Sequence, residues 1–290
     1  MPGSRGHYTL DARTFAEWRV DYVKLDWCGD IKKEPKQGRA AHEAFARAMN
    51  VSGRPMFLEV VAGYFFLGAR IGSVANAWRF CEDHKDSWGK TREQLACRDD
   101  QLNATGGPGA WASMDVLTTG GAGCAGGGIS AHCAGMSDDE YRTEFSLWAL
   151  TQSPLLVATD VRNLTAVMRQ ALLNEELVDL HQATATPPGG RLAHWRCTEP
   201  LACQVWGRRL TADGADWMVA LVNLGSRPGD HRRVGPTRMG RRRLRVGARS
   251  VGARIAAERH REFHGRQRAG ARVRRRPSDQ NAVSKRNVVL

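Results

Sequence analysis

From residue 20 to residue 182 short apolar runs alternate with helix-like segments, and the alternation stops at the PPGG run of residues 187–190. This alternation is the strongest constraint on the fold. Asp11 is expected to cap ARTFAEWR, and the run around residues 20–27 follows as a strand. A helix through AAHEAFARAMN, a strand in RPMFLEVV, a short strand in ANAWRF and a strand in WASMDVL after the GGPGA turn continue the order. The SDDE run at 137–140 has the spacing of a capping box opening DEYRTEFSLWALTQS; PLLVATD then reads as a fifth strand and LTAVMRQALLNEELVDLHQ as one long amphipathic helix. Strand followed by helix, repeated, calls for a parallel sheet with helical crossovers, either doubly wound or closed as a barrel. After residue 190 the pattern changes to short strands, RLAHWRC, ACQVWGRRL and DWMVALVNL, with Asp213 and Gly214 marking a hairpin turn, so an antiparallel unit is expected there.

Charge divides the chain differently. The net charge is +13, yet residues 231–290 carry 19 Lys and Arg against three acids, leaving 24 basic and 27 acidic residues in 1–230. The basicity therefore belongs to the tail, which has almost no apolar periodicity and is expected to be disordered or out of frame rather than a folded module. Its arginines lack interleaved aromatics apart from Phe263, so no specific nucleic-acid partner is expected; any such binding would be nonspecific and would collapse with salt. The seven cysteines fall into three close pairs, Cys81 with Cys97, Cys124 with Cys133 and Cys197 with Cys203, leaving Cys28 alone. Sequons at Asn50, Asn103 and Asn163 add a secretory signature. The N-terminal MPGSRGHYTL has no apolar core of a signal peptide, and no apolar run is long enough to span a bilayer.

Ligands of parallel α/β sheets bind beyond the C-terminal strand ends, and the polar residues expected there are few. Lys24 and Asp26 project to one face of the first strand because side chains two apart share a face. Arg79 and Asp83 follow the third, Asp115 lies at the fourth and Asp160 follows the fifth. Paired carboxylates with cations suggest glycoside hydrolysis, in which a retaining enzyme needs an ionised nucleophile and a protonated acid roughly 5–5.5 Å apart. Lys24 beside Asp26 would favour the ionised form, and Asp83 could keep a proton if desolvated. A structural ion pair at a strand end would account for Lys24 and Asp26 equally well, and CEDHKD has the composition of a solvated loop.

The segments PGSRGHYTLDARTFAEWRVDYVKLDWC, WRFCEDHKDSW, GPGAWASMDVL and EYRTEFSLWALTQSPLLVATDVRNL, in this order, resemble the melibiase family, glycoside hydrolase family 27, over about residues 2–225. Its members are alpha-galactosidases and alpha-N-acetylgalactosaminidases. The resemblance implies an α/β fold: a partial TIM (β/α)8 barrel lacking its first three strands in residues 1–186, and part of a C-terminal antiparallel β domain in 190–228. The tail, 229–290, has no counterpart. It implies that Asp26 is the nucleophile and Asp83 the acid/base, with Lys24, Arg79 and Asp115 binding sugar hydroxyls. No metal or organic cofactor is implied. The partner is an alpha-galactoside, as oligosaccharide, glycolipid or glycoprotein glycan; a homodimer is a further expectation, and the setting is secreted or lysosomal/vacuolar.

Departures from the family pattern sharpen these expectations. The Cys-Glu-Trp segment that normally ends the next strand is LEVVAG here, so Glu59 either reaches the substrate from two positions along the same face or the contact is missing. The family cysteine in that segment pairs with one before the Trp-Arg motif, and Val60 and Ala75 stand near the two positions. Met1 falls just before the family's fourth strand, so a Trp, two Asp and a Tyr of the sugar pocket and a partner for Cys28 are expected to be lacking. An open barrel of this kind would expose strand edges. The reading is a retaining alpha-galactosidase, with an alpha-N-acetylgalactosaminidase or an inactive carbohydrate-binding relative as alternatives.

Overall fold

The computed structural model describes residues 3–28, 35–61, 66–100, 106–119, 135–194 and 202–225, with short strands at 237–239, 242–244, 256–257 and 288–289. The apolar runs form a four-stranded sheet, β1 (Tyr22–Leu25), β2 (Phe57–Val60), β3 (Ala77–Arg79) and β4 (Trp111–Ser113), neighbours in sequence being neighbours in space. Every pairing is parallel, as the strand-then-helix order predicts. Helix α1 (Tyr8–Glu17) precedes β1, α2 (Pro35–Asn50) lies between β1 and β2, the 3-10 helix Gly68–Ser73 between β2 and β3, and α3 (Trp88–Asp100) between β3 and β4.

Register and the two-residue period divide the sheet into two unlike faces. Leu58, Val60, Trp78, Phe80, Ala112 and Met114 fall on one face and join Phe45, Met49 and Leu95 in the core. Lys24 is paired with Glu59, Glu59 with Ala77, Ala77 with Trp111 and Arg79 with Ser113, so the opposite face carries a row of polar side chains. Val60 and Ala75 are both buried in the apolar core.

Three local expectations are corrected. Helix α1 begins at Tyr8, ahead of Asp11, which lies in its first turn instead of capping it; a carboxylate there still complements the helix dipole. PLLVATD is not a strand. It contributes a single parallel bridge, Leu117 to Val157, because Pro154 has no N–H to give and Asp115, at φ 72°, turns the chain away just after β4. The long helix of 164–182 is two, α5 (Ala166–Leu172) and α6 (Glu175–Gln182), since the Asn174 side chain accepts from Leu177 N at 3.0 Å and caps a new start. The described residues of 229–290 are short strands: β8 (Thr237–Met239) pairs with β9 (Arg242–Leu244), and β11 (Val288–Val289) lies between β7 and β10 (Ala256–Ala257).

The capping box at 137–140 forms: Ser137 Oγ accepts from Glu140 N, and Glu140 Oε2 accepts from Ser137 N at 2.7 Å. It opens α4 (Asp138–Thr151), whose residues 144–151 are all buried. A helix buried on every side belongs inside a molecule, and α4 packs between the two sheets. The antiparallel strands β5 (Gly190–His194), β6 (Cys203–Arg209) and β7 (Trp217–Asn223) contribute Trp206, Met218, Ala220 and Val222 to the same core. Gly189 lies at their junction with α4. A Cβ there would stand 2.8 Å from the Leu150 carbonyl oxygen, so no larger residue fits without movement. Cys81 and Cys97 form a disulfide that ties the end of β3 to α3; Cys203 is disulfide-bonded and Cys28 is free and exposed. Cys124, Cys133, Cys197 and the sequon Asn103 lie outside the described residues. No described helix is long and apolar enough to cross a membrane.

Candidate active site

The polar row ends at the C-terminal edge of the parallel sheet, and Asp115 is its centre. Arg79 Nη1 stands 2.9 Å from Asp115 Oδ2, and Lys24 Nζ stands 3.8 Å from Asp115 Oδ1. Lys24 is on the first strand and Asp115 follows the fourth. Strands are spaced ~4.8 Å apart, so three steps on a flat sheet would separate them by ~14 Å. The ion pair closes because the sheet curls around this face, as the wall of a barrel does. Asp115 is seated by its backbone as well: its positive φ aims the carboxylate inward, its carbonyl accepts from Trp148 Nε1 at 2.9 Å, and its Oδ2 accepts from His84 N at 2.9 Å.

Arg79 is the second anchor. Its side chain is 4% exposed, and Nη2 also reaches Asp83 Oδ1 at 3.1 Å and the Cys81 carbonyl at 3.2 Å. The structure thus brings together Lys24, Arg79, Asp83 and Asp115 of the residues expected from sequence. Asp26 lies two positions beyond Lys24, exposed, its Oδ1 accepting from Trp27 N at 2.7 Å. The indole of Trp27 is held against Phe66 and His42, with ring centroids 5.1 Å and 6.0 Å away. Asp160 instead ion-pairs with Arg162 at 2.8 Å and caps the short 3-10 turn Val161–Asn163.

Two expected electrostatic devices take another form. The ion pair of Lys24 runs to Asp115 and not to Asp26, because the curl of the sheet turns the lysine across the concave face. Desolvation does not act on Asp83, whose side chain is 81% exposed on the loop after β3 and faces Arg79.

Three features of the site are unexpected from sequence. Glu59 is 3% exposed and accepts a short hydrogen bond from the Tyr22 hydroxyl. Burial, and then the bond to and charge of Glu59 and the charge of Asp115, drive the Tyr22 phenol upward, so it stays a donor. His84 and Glu144, both fully buried, meet at 2.8 Å. Asp86, also buried, accepts from the Tyr141 hydroxyl at 2.7 Å and Gly135 N at 3.0 Å; burial pushes its carboxyl above the usual value. One signal was present in the sequence: Glu144 is the sole charged residue of the segment 144–151. Among the described residues no group of three or more His, Cys, Asp or Glu is disposed to hold a metal ion.

The profile of the alpha-galactosidase A family of melibiases matches residues 1–183. An alpha-galactosidase of Oryza sativa is 36% identical over 186 residues, covering 63% of this chain and 40% of that one. The alpha-galactosidase 3 of Arabidopsis thaliana is 32% identical over 229 residues, covering 78% and 48%. The solved alpha-galactosidase of Saccharomyces cerevisiae with raffinose superposes with a TM-score of 0.61 at 26% identity, covering 78% of this chain and 54% of that one. The chain thus spans about half the length of the relatives it matches.

Proposed function

The chain belongs to the alpha-galactosidase A family of melibiases, and from that premise we propose that it carries the site of a retaining alpha-galactosidase acting on terminal alpha-linked galactose. The reading is supported above all by the convergence of Lys24, Arg79 and Asp115 across four strands, with Asp83 on Arg79 and Asp26 two residues beyond Lys24. A sugar hydroxyl both donates and accepts, and a carboxylate between two cations offers both kinds of partner.

In the proposed reaction the Asp26 carboxylate attacks the anomeric carbon while Asp83, entering as the acid, transfers its proton to the departing glycosidic oxygen. The bond to the leaving group breaks as the ester to Asp26 forms, with inversion. Asp83, now a carboxylate, takes a proton from water; the water oxygen attacks the same carbon, the ester breaks, and the second inversion restores the alpha configuration. Lys24, Arg79 and Asp115 hold the hydroxyls so that the carbon meets Asp26. The disulfide Cys81–Cys97 and the sequons support a secreted or vacuolar/lysosomal setting.

The test is hydrolysis of aryl alpha-galactoside and aryl alpha-N-acetylgalactosaminide by the native gene product, with NMR detection of the first anomer released. Alpha-galactose released first, with turnover reduced to background in Asp26→Asn, is expected. A beta product, or an Asp26→Asn protein that keeps most of its rate, ends the reading.

A further inference from the structure

One stripe of α4 reaches three buried residues that flank the site, Asp86, His84 and Asp115. Tyr141, Glu144 and Trp148 are spaced at i, i+3 and i+7 and so lie on one face. Tyr141 bonds Asp86, Glu144 bonds His84, and Trp148 bonds the carbonyl of Asp115. The first two are on the β3–α3 loop that carries Asp83, and the third is beyond β4.

Glu144 is the centre of this stripe. Oε1 accepts from His84 Nε2 at 2.8 Å, Thr118 N at 3.0 Å and Thr118 Oγ1 at 2.7 Å; Oε2 accepts from Thr119 Oγ1 at 2.5 Å. Four polar groups converge on this one carboxylate, and the His84 ring is held against it through Nε2. A buried carboxylate with four donors is satisfied, and losing it would leave four buried donors without an acceptor. The bonds also join two loops. His84 directly follows Asp83, and its N–H sits on Asp115 Oδ2; Thr118 and Thr119 follow Asp115 by three and four residues.

We infer that Glu144 is a positioning residue: acting through His84, the Thr118 N–H and the Thr118 and Thr119 hydroxyls, it fixes where Asp83 stands relative to Asp115 and to bound sugar. The inference rests on the reading of Asp83 as acid/base. Glu144 touches no sugar and transfers no proton. Its removal frees Asp83 to wander while leaving Asp26 where it is, so the loss falls on steps that need an acid.

The test uses the full chain carrying Glu144→Ala. Its first reading is kcat/KM on two alpha-galactosides, one with a dinitrophenyl leaving group that departs without protonation and one with an alkyl leaving group that requires it. Displacement of an acid by ~1 Å costs up to ~100-fold, so a ~30–100-fold loss on the alkyl substrate against less than ~3-fold on the dinitrophenyl substrate is expected. Glu144→Gln, which keeps an acceptor for His84 and Thr118, restores most of that ratio. A purely structural role lowers both rates by one factor, and that outcome overturns the inference. The second reading is hydrogen exchange of the backbone at 82–86 and 115–119, which is expected to quicken in Glu144→Ala while β6 and β7 stay protected. Unchanged exchange there overturns the inference whatever the activity. If exchange quickens but the unaltered chain hydrolyses neither substrate, the activity reading has failed and the positioning has not. Should Glu144→Ala fail to fold, Thr119→Val, which removes one donor at nearly constant volume, is read in the same way, with a smaller ratio.

Discussion

The two halves of the candidate site are held by different means. On the β3–β4 side Arg79 and Asp115 are buried, ion-paired at 2.9 Å and backed by α4. On the β1 side Asp26 is exposed, and its described hydrogen bond is to the next residue in the chain. Asp83 belongs to the second class despite lying on the first side, with its side chain 81% exposed and its neighbour His84 buried. Groups that would grip a sugar thus make direct long-range contacts, and the two carboxylates that would do chemistry are exposed and directly touch only residues near them in the chain among the described contacts. Residues of the first kind report on folding when altered; residues of the second report on turnover.

Removing Arg79 should separate the halves most sharply. Arg79→Met leaves the buried Asp115 with the exposed Lys24 as its remaining cation and the His84 N–H as a donor, and breaking a buried pair from one side costs roughly 3–5 kcal/mol. A urea midpoint that moves by less than ~1 kcal/mol equivalent would mean that Asp115 is open to water, and the contrast would vanish.

A smaller effect is expected at Asp86, on the same side. Its carboxyl titrates above the ordinary value of 3.8 because of burial, so the native state favours the protonated form. The stability it carries is full below pH 3.8 and is lost as pH rises through the native value. Asp86→Asn removes that titration, and the stability difference, wild type minus variant, should fall between pH 3 and neutrality in paired urea melts. A flat difference would show that Asp86 is solvated like Asp83.

The smallest change belongs to the exposed half. Asp26→Asn should alter stability by less than about 0.5 kcal/mol, the usual range for a surface substitution, even as turnover is lost. A loss above ~1 kcal/mol would show that Asp26 is enclosed and that the two halves are held alike.

The alternation of strands and helices was legible because period and capping are local properties, and the capping box at 137–140 formed as written. Lys24, Arg79, Asp83 and Asp115 were singled out from strand ends and motif, and the structure places the four side chains in one cluster. Their pairing was not legible, since Lys24 meets Asp115 only through the curl of a sheet that no strand encodes alone. PLLVATD shows the opposite failure: an apolar run reads as a strand, but Pro154 and the turn at Asp115 leave it one bridge. In 164–182 the helical period runs straight through Asn174, and only its cap, a competing local bond, divides it. Glu144 stayed hidden because its histidine lies 60 residues earlier.

The order of strands in the parallel sheet has a consequence for synthesis. Each strand from β2 to β4 pairs with the one made just before it, so the sheet is expected to extend as the chain emerges, by short-range closures. The helix that seats His84 and Asp115 emerges only after all four strands are complete. A nascent chain stopped before residue 138 would therefore carry Lys24, Asp26, Arg79, Asp83 and Asp115 without the stripe that sets their spacing, and the site is expected to be the last part of this sheet to mature.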